Sequence, residues 1–134
     1  MTMDKLLNYD YSRIADWLLI AGIVAVLVIA MVIMGFIWLQ FAHKKHNCFY
    51  GYTTAIGRHD QSAWVYVNRV AGRLWLVSGI ILGLVDAFIM LRCMHSPVEV
   101  VTGIGVLLVI IELALIGCCH IIICRISKWK YGTM

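Results

Sequence analysis

The sequence predicts an all-α integral membrane protein with three transmembrane helices, and a cytoplasmic loop with an interfacial helix between the first and second. Of the 134 residues, 63% are hydrophobic and only 13% are charged, whereas soluble domains are about half apolar and a quarter charged. The apolar residues form three long runs, at about residues 17–41, 74–91 and 98–124. We therefore expect one membrane domain over residues 1–134 and no separate soluble domain.

The first run has no charged residue between Leu18 and Gln40. A helix that crosses a bilayer needs about 20 apolar residues, so this run is long enough. Its apolar core exceeds the roughly 7–15 residues of a secretory signal peptide, and the acidic residues Asp10 and Asp16 precede it. We expect a helix that is retained in the membrane.

The second run is interrupted only by Asp86, and the third by Glu112 and His120. A short turn at residues 92–97 joins them. Pro97 suits the first turn of the third helix, where the missing N–H costs little. These two runs are expected to form an antiparallel pair.

The segment between the first two runs, residues 43–73, is the only long polar stretch. Gly51 permits a tight backbone turn. Asp60 and Ser62 are both suitable N-caps for a helix that begins near Ala63. Four later residues share one helical face: Trp64, Asn68, Ala71 and Trp75. The pattern predicts an interfacial helix that continues into the second span, with a bend at Gly72.

This segment also carries a spaced set of glycine, aromatic, polar and basic residues: Gly51, Tyr52, Thr54, Trp64, Asn68, Arg69, Gly72 and Arg73. The set resembles the SdpI-type immunity protein family, in which a Gly-(Tyr/Ile)-Arg-Thr turn precedes a Trp, a polar–Arg pair and a Gly-(Lys/Arg) that enters a transmembrane helix. The spacing agrees, although Thr53 stands where the family has Arg. Longer members carry this arrangement in their C-terminal half, which this chain resembles.

The resemblance implies a function in immunity. Members protect a bacterial cell from a membrane-active peptide toxin secreted by its siblings, and the founding member also holds a transcriptional repressor at the membrane. The expected partners are therefore the lipid bilayer, a peptide toxin or its target, and a regulatory protein. If the family Arg binds an acidic partner, Thr53 removes that contact.

The distribution of Lys and Arg predicts the orientation. The loop and the C-terminal tail together hold eight of these residues, against three in the N-terminal tail and the 92–97 turn. The N-terminus is therefore expected outside and the C-terminus in the cytoplasm of a bacterial cell, in the plasma membrane. The net charge of +4 fits attraction to anionic lipid, and we expect no nucleic-acid partner. In an alternative interpretation that leaves the spacing unexplained, Trp64 is an interfacial anchor and Arg69 and Arg73 contact lipid phosphates.

Two stripes of small residues accompany the intramembrane acids. Gly79 and Gly83 share a helical face with Asp86 and form a small-xxx-small pattern that permits close helix contact. On the third run Gly105 and Glu112 lie seven residues apart on one face. We expect the two stripes to pack on each other.

Three interpretations of Asp86 and Glu112 remain open. They are neutral acids that join helices by hydrogen bonds, members of a proton or cation pathway, or a docking site for a cationic peptide or another subunit. Asp86 lies near the outer end of its predicted span and Glu112 near the middle of its own. The expected vertical separation is about 10 Å at 1.5 Å per residue, too large for a shared proton.

The remaining polar residues do not predict a catalytic site or a metal site. His120 is expected to be an interfacial donor, and the spacing of His43, His46, Cys48 and His59 matches no zinc motif. We expect no cofactor, no metal and no enzyme activity. Two alternatives to immunity stay open, a small proton- or cation-coupled transporter acting as an oligomer and an accessory subunit of a larger membrane complex. Because three helices bury little surface, we also predict a homo-oligomer.

Overall fold

A computed structural model describes residues 3–45, 51–52 and 60–132, with side chains from residue 10 onward. It contains three α-helices: α1 (Met3–Phe41), α2 (Gln61–Arg92) and α3 (Val98–Tyr131). All three are long and apolar enough to cross a membrane, as the sequence predicts. Large apolar side chains are exposed along each of them, which is the surface expected of helices that face lipid.

Helix α2 begins earlier than the second apolar run. Asp60 is its N-cap, and the Asp60 side chain accepts a hydrogen bond from the Ala63 N–H at 3.3 Å. The Ser62 hydroxyl donates to the same carboxylate. The helix continues without a break through Gly72 to Arg92. The segment predicted as an interfacial helix is thus the first part of α2.

The closest approach between helices joins α1 and α2 at Gly35 and Gly72. A Cβ on Gly35 would lie 2.6 Å from the backbone nitrogen of Leu76 and 2.9 Å from the carbonyl oxygen of Gly72. A Cβ on Gly72 would lie 2.8 Å from the carbonyl oxygen of Gly35. Because backbone meets backbone here, neither position has room for a side chain.

The prediction that the two stripes pack on each other is wrong for their glycines. Gly79 and Gly83 face α1, where an added Cβ would meet Val32 at 2.9 Å and Val28 at 2.8 Å respectively. Gly105 also faces α1, with Ile20 at 2.5 Å from an added Cβ. The space left by a glycine is filled by whichever neighbouring side chain reaches it. At all three glycines a branched side chain of α1 does so.

Helix α3 lies against both other helices, and side-chain contacts at the two ends of the bundle hold the elements together. Near residues 61–66 of α2, the Tyr131 hydroxyl donates to the Ser62 carbonyl at 3.2 Å, and the Tyr66 and Tyr131 rings are 5.7 Å apart. At the other end, the turn after α2 is fixed to α1, because Arg13 donates to the His95 carbonyl at 2.8 Å. We call these the motif end and the turn end of the bundle.

Candidate functional site

Four residues of the family-like pattern come together at the motif end, where the Gly51–Tyr52 segment lies on the first turns of α2. We call Gly51, Tyr52, Trp64 and Asn68 the motif cluster. Tyr52 is nearly buried, and Trp64 and Asn68 are fully buried. Thr54 and Thr53 lie outside the described residues. The sequence spacing thus corresponds to a compact group of contacts.

Gly51 is required by both its conformation and its surroundings. Its φ is +89°, in the left-handed region that favours glycine. A Cβ at this position would lie 2.6 Å from the Trp64 ring and 2.7 Å from Asn68 Oδ1. The backbone of the loop therefore rests directly on the side chains of α2.

Asn68 joins the loop to the helix with both ends of its amide. Its Oδ1 accepts a hydrogen bond from the Tyr52 N–H at 2.7 Å, and its Nδ2 donates to the Trp64 carbonyl at 3.0 Å. The Trp64 indole N–H donates to the Phe41 carbonyl at 3.3 Å, at the end of α1. Buried polar groups are stable when they are paired in this way. The interpretation of Trp64 as an interfacial anchor is wrong, because its side chain is fully buried.

The Tyr52 side chain extends the cluster to α1 and α3. Its ring packs edge-on against Trp38, with ring centroids 4.7 Å apart. Its hydroxyl forms a hydrogen bond with His120 Nδ1, and His120 Nε2 faces the Cys124 sulfur at 3.7 Å. Burial, followed by the neighbouring thiols of Cys124 and Cys119, raises the pKa of the Tyr52 hydroxyl to about 12. Tyr52 therefore stays protonated at neutral pH and can donate to His120.

Other pattern residues have different surroundings. Arg69 and Arg73 are exposed on the outside of α2, and Gly72 is buried against α1. The two arginines therefore remain available to lipid phosphates or to a partner. The sequence analysis did not identify Gly35 or the contact of Trp38 with Tyr52, because neither residue belongs to the loop pattern.

The two intramembrane acids are brought together, contrary to the predicted separation of about 10 Å. Glu112 is fully buried and Asp86 is 5% exposed. Their carboxyl groups are close enough to influence each other directly. A second contact between α2 and α3 agrees with this alignment of the two helices. Ser78 Oγ lies 3.8 Å from Cys119 Sγ.

The carboxyl groups lack ordinary hydrogen bonds. Within the described part of the chain, Asp86 Oδ2 and both oxygens of Glu112 are buried with no hydrogen-bond partner other than the facing carboxyl group. Unpaired buried polar atoms are uncommon because each loses its hydration without replacement. They identify this pair as the most unusual polar feature of the described structure.

An open groove between α1 and α2 leads to Asp86. Its volume is about 450 Å³, and its lining includes Trp17, Val24, Val28, Gly83, Asp86 and Met90. The Trp17 indole N–H is already bound to the Met90 carbonyl at 2.9 Å. Among the lining residues, Asp86 alone is ionisable. We call this the α1–α2 groove.

The described residues contain no group of three or more His, Cys, Asp and Glu side chains that could hold a metal ion. His43 is described and exposed. The other members of the candidate cluster, His46, Cys48 and His59, lie outside the described ranges. The absence of a metal and of a cofactor therefore stays a prediction from the sequence.

The fold and the buried polar sites define a multi-pass helical membrane protein. A model of the SdpI/YfhL protein family matches residues 44–124, which run from the end of α1 into α3. The chain belongs to the SdpI/YfhL family. No curated protein and no solved structure matches it significantly.

Proposed function

We propose that the protein is an immunity protein of the bacterial plasma membrane, with its N-terminus outside and its C-terminus in the cytoplasm. It protects the membrane by binding a membrane-active peptide toxin or the target of that toxin. The observation that carries this proposal is the family match over residues 44–124, together with the immunity function that the family resemblance implies.

In this proposal the two polar regions have separate tasks. The motif cluster, with its paired hydrogen bonds, fixes α1, α2 and the loop relative to one another. The α1–α2 groove is open to the outside of the bundle and supplies recognition through Asp86 in its lining. Arg69 and Arg73 are exposed where they can contact lipid phosphates or a regulatory protein.

The test is survival of cells under a panel of sibling-derived peptide toxins. Cells that lack the gene would express the wild type, Asp86→Asn, Glu112→Gln or Arg69→Ala at matched membrane levels. Glu99→Gln, which changes an exposed acid at the start of α3, is the matched control. Protection by the wild type and the control, lost with Asp86→Asn or Glu112→Gln, supports the proposal. Unchanged sensitivity after deletion of the gene would contradict it.

We also propose that the protein acts as a homo-oligomer, because its three helices leave many large apolar side chains at the surface. Two copies would approach the size of longer family members. The molar mass of the protein in nanodiscs provides the test. A monodisperse monomer in both nanodiscs and mild detergent would contradict this proposal.

A second candidate function is a small proton- or cation-coupled transporter that acts as an oligomer. The specific observation in its favour is the pair of buried carboxyl groups, since intramembrane acids commonly mark proton and ion pathways. Reconstituted vesicles would show a pH-dependent flux that Glu112→Gln removes. Absence of proton or cation flux at any pH would exclude this function.

A further inference from the structure

We propose that the α1–α2 groove recognises one basic side chain, carried inside the apolar layer by an apolar peptide segment, and that Asp86 is its counter-ion. This inference rests on the proposed function and specifies the chemistry of the peptide. Three properties of the groove support it: its charge, its depth and its size.

The charge of the groove favours a cationic ligand. Asp86 is the single ionisable residue of the lining, and its Oδ2 is buried with no partner among the described residues other than the facing carboxyl group. Behind it lies the fully buried Glu112 carboxyl, which is in contact with the Asp86 carboxyl. Two carboxylates in contact repel each other, and one proton held between them leaves a single negative charge. One ammonium or guanidinium group neutralises that charge.

The depth of the groove excludes two other sources of the cation. An added Cβ on Gly83 would meet Val28, and the Trp17 indole N–H binds the Met90 carbonyl. Asp86 therefore lies between the levels of Trp17 and Val28, inside the uncharged run of α1. A lipid amine is held at the headgroup level, far from this depth. A second copy of the chain offers no Lys or Arg inside residues 17–41, 74–91 or 98–124. A basic residue in a membrane-embedded peptide can reach this level.

The size of the groove favours side chains over an entire helix. A volume of about 450 Å³ lies in the lower part of the roughly 300–1,000 Å³ range of small-ligand sites. Its apolar walls, Val24, Val28 and Met90, suit the methylene stem of a lysine and one or two neighbouring apolar side chains. The peptide backbone would then lie along the outside of the groove, in lipid.

The test uses synthetic Leu–Ala transmembrane helices that carry one Lys at the centre, one Leu at the centre, or one Lys near the end. Association with the protein is measured by energy transfer in phosphatidylcholine vesicles. The central-Lys helix is expected to bind the wild type at least tenfold more tightly than either of the other helices. Asp86→Asn should remove this preference, and Glu99→Gln should retain it.

A second variant keeps the test valid if Asp86→Asn fails to fold. Ala87→Phe leaves Asp86 in place and narrows the groove at an exposed lining position, so it should weaken binding of the central-Lys helix. Equal binding of the central-Lys and central-Leu helices by the wild type would overturn the inference. A preference that persists in Asp86→Asn, or equal binding of the end-Lys helix, would also overturn it.

Failure of this inference can be distinguished from failure of the proposed function. A protein that protects cells from toxin but shows no preference for the central Lys retains the immunity function and loses this mode of recognition. A protein with the preference but no protective effect retains the binding chemistry, and the immunity function is then contradicted.

Discussion

Two fully buried polar side chains, Asn68 at the motif end and Glu112 in the middle of the bundle, have opposite surroundings. The Asn68 amide is bonded to the Tyr52 N–H and the Trp64 carbonyl. In the described part of the chain, Glu112 has no hydrogen-bond partner other than the facing Asp86 carboxyl. Buried polar groups that are paired specify a structure, whereas unpaired ones cost stability and are retained for another reason. We infer that the motif end builds the fold and that the acid pair carries the function.

The largest effect on stability is expected from Gly51→Ala. The positive φ of +89° strains an alanine by about 1–3 kcal/mol, and overpacking against Trp64 adds about 1–3 kcal/mol. The free energy of unfolding in mixed micelles should fall by about 2–6 kcal/mol.

Gly132→Ala is the matched control for this prediction. Gly132 also has a positive φ, of 71°, but an added Cβ would meet nothing within 4 Å. It should show the strain without the overpacking. Equal losses in the two variants would mean that the Gly51–Trp64 contact does not stabilise the motif end.

Gly35→Ala should have the next largest effect. Its Cβ would meet backbone atoms of α2 at 2.6 and 2.9 Å, so α1 and α2 must separate, at a cost of about 1–3 kcal/mol. Gly22→Ala is the control, since an added Cβ there meets nothing within 4 Å. A Gly35→Ala protein as stable as Gly22→Ala in the same unfolding titration would show that this approach of the two helices is not needed.

A smaller effect is expected from Tyr52→Phe, which keeps the ring packed on Trp38 and removes the hydrogen bond to His120. The loss should be about 0.5–1.5 kcal/mol, the net value of one hydrogen bond. A double-mutant cycle with His120→Ala isolates the pair. A coupling energy near zero would mean that Tyr52 stabilises the protein through its ring alone.

The smallest expected effect is a dependence of stability on pH that arises at the start of α2. Hydrogen bonds, chiefly from the Ser62 hydroxyl, hold the pKa of Asp60 below its usual value. A lowered pKa in the folded state contributes stability above the unfolded pKa, and this contribution is lost as pH falls through the folded pKa. Unfolding followed from neutral to acid pH should reveal a slight loss below about pH 4. Asp60→Asn, which keeps a capping oxygen, should remove that part of the pH dependence.

The sequence was sufficient to predict the three spans and the residues of the motif cluster. Uncharged runs of membrane length predict the spans, and the spacing of Gly51, Trp64 and Asn68 indicates the motif cluster. The start of α2 near residue 61 was also predictable, because Asp60 is a good N-cap.

The packing partners and depths were not predictable from spacing. Helical periodicity assigns Gly79 and Gly83 to a face, but it does not say that α1 fills that face. The depth of Asp86 was misjudged because it was counted from the end of its own apolar run. Contacts across the helices instead bring Asp86 beside Glu112.

The most direct test of the account compares the free energies of unfolding of Asn68→Leu and Glu112→Leu in the same mixed micelles. Asn68→Leu leaves the Tyr52 N–H without its partner and should lose about 1–3 kcal/mol. Glu112→Leu removes a buried carboxyl that repels the neighbouring Asp86 carboxyl, so stability should be unchanged or increased. A Glu112→Leu protein that loses as much stability as Asn68→Leu would contradict the assignment of structure to the motif end and function to the acid pair.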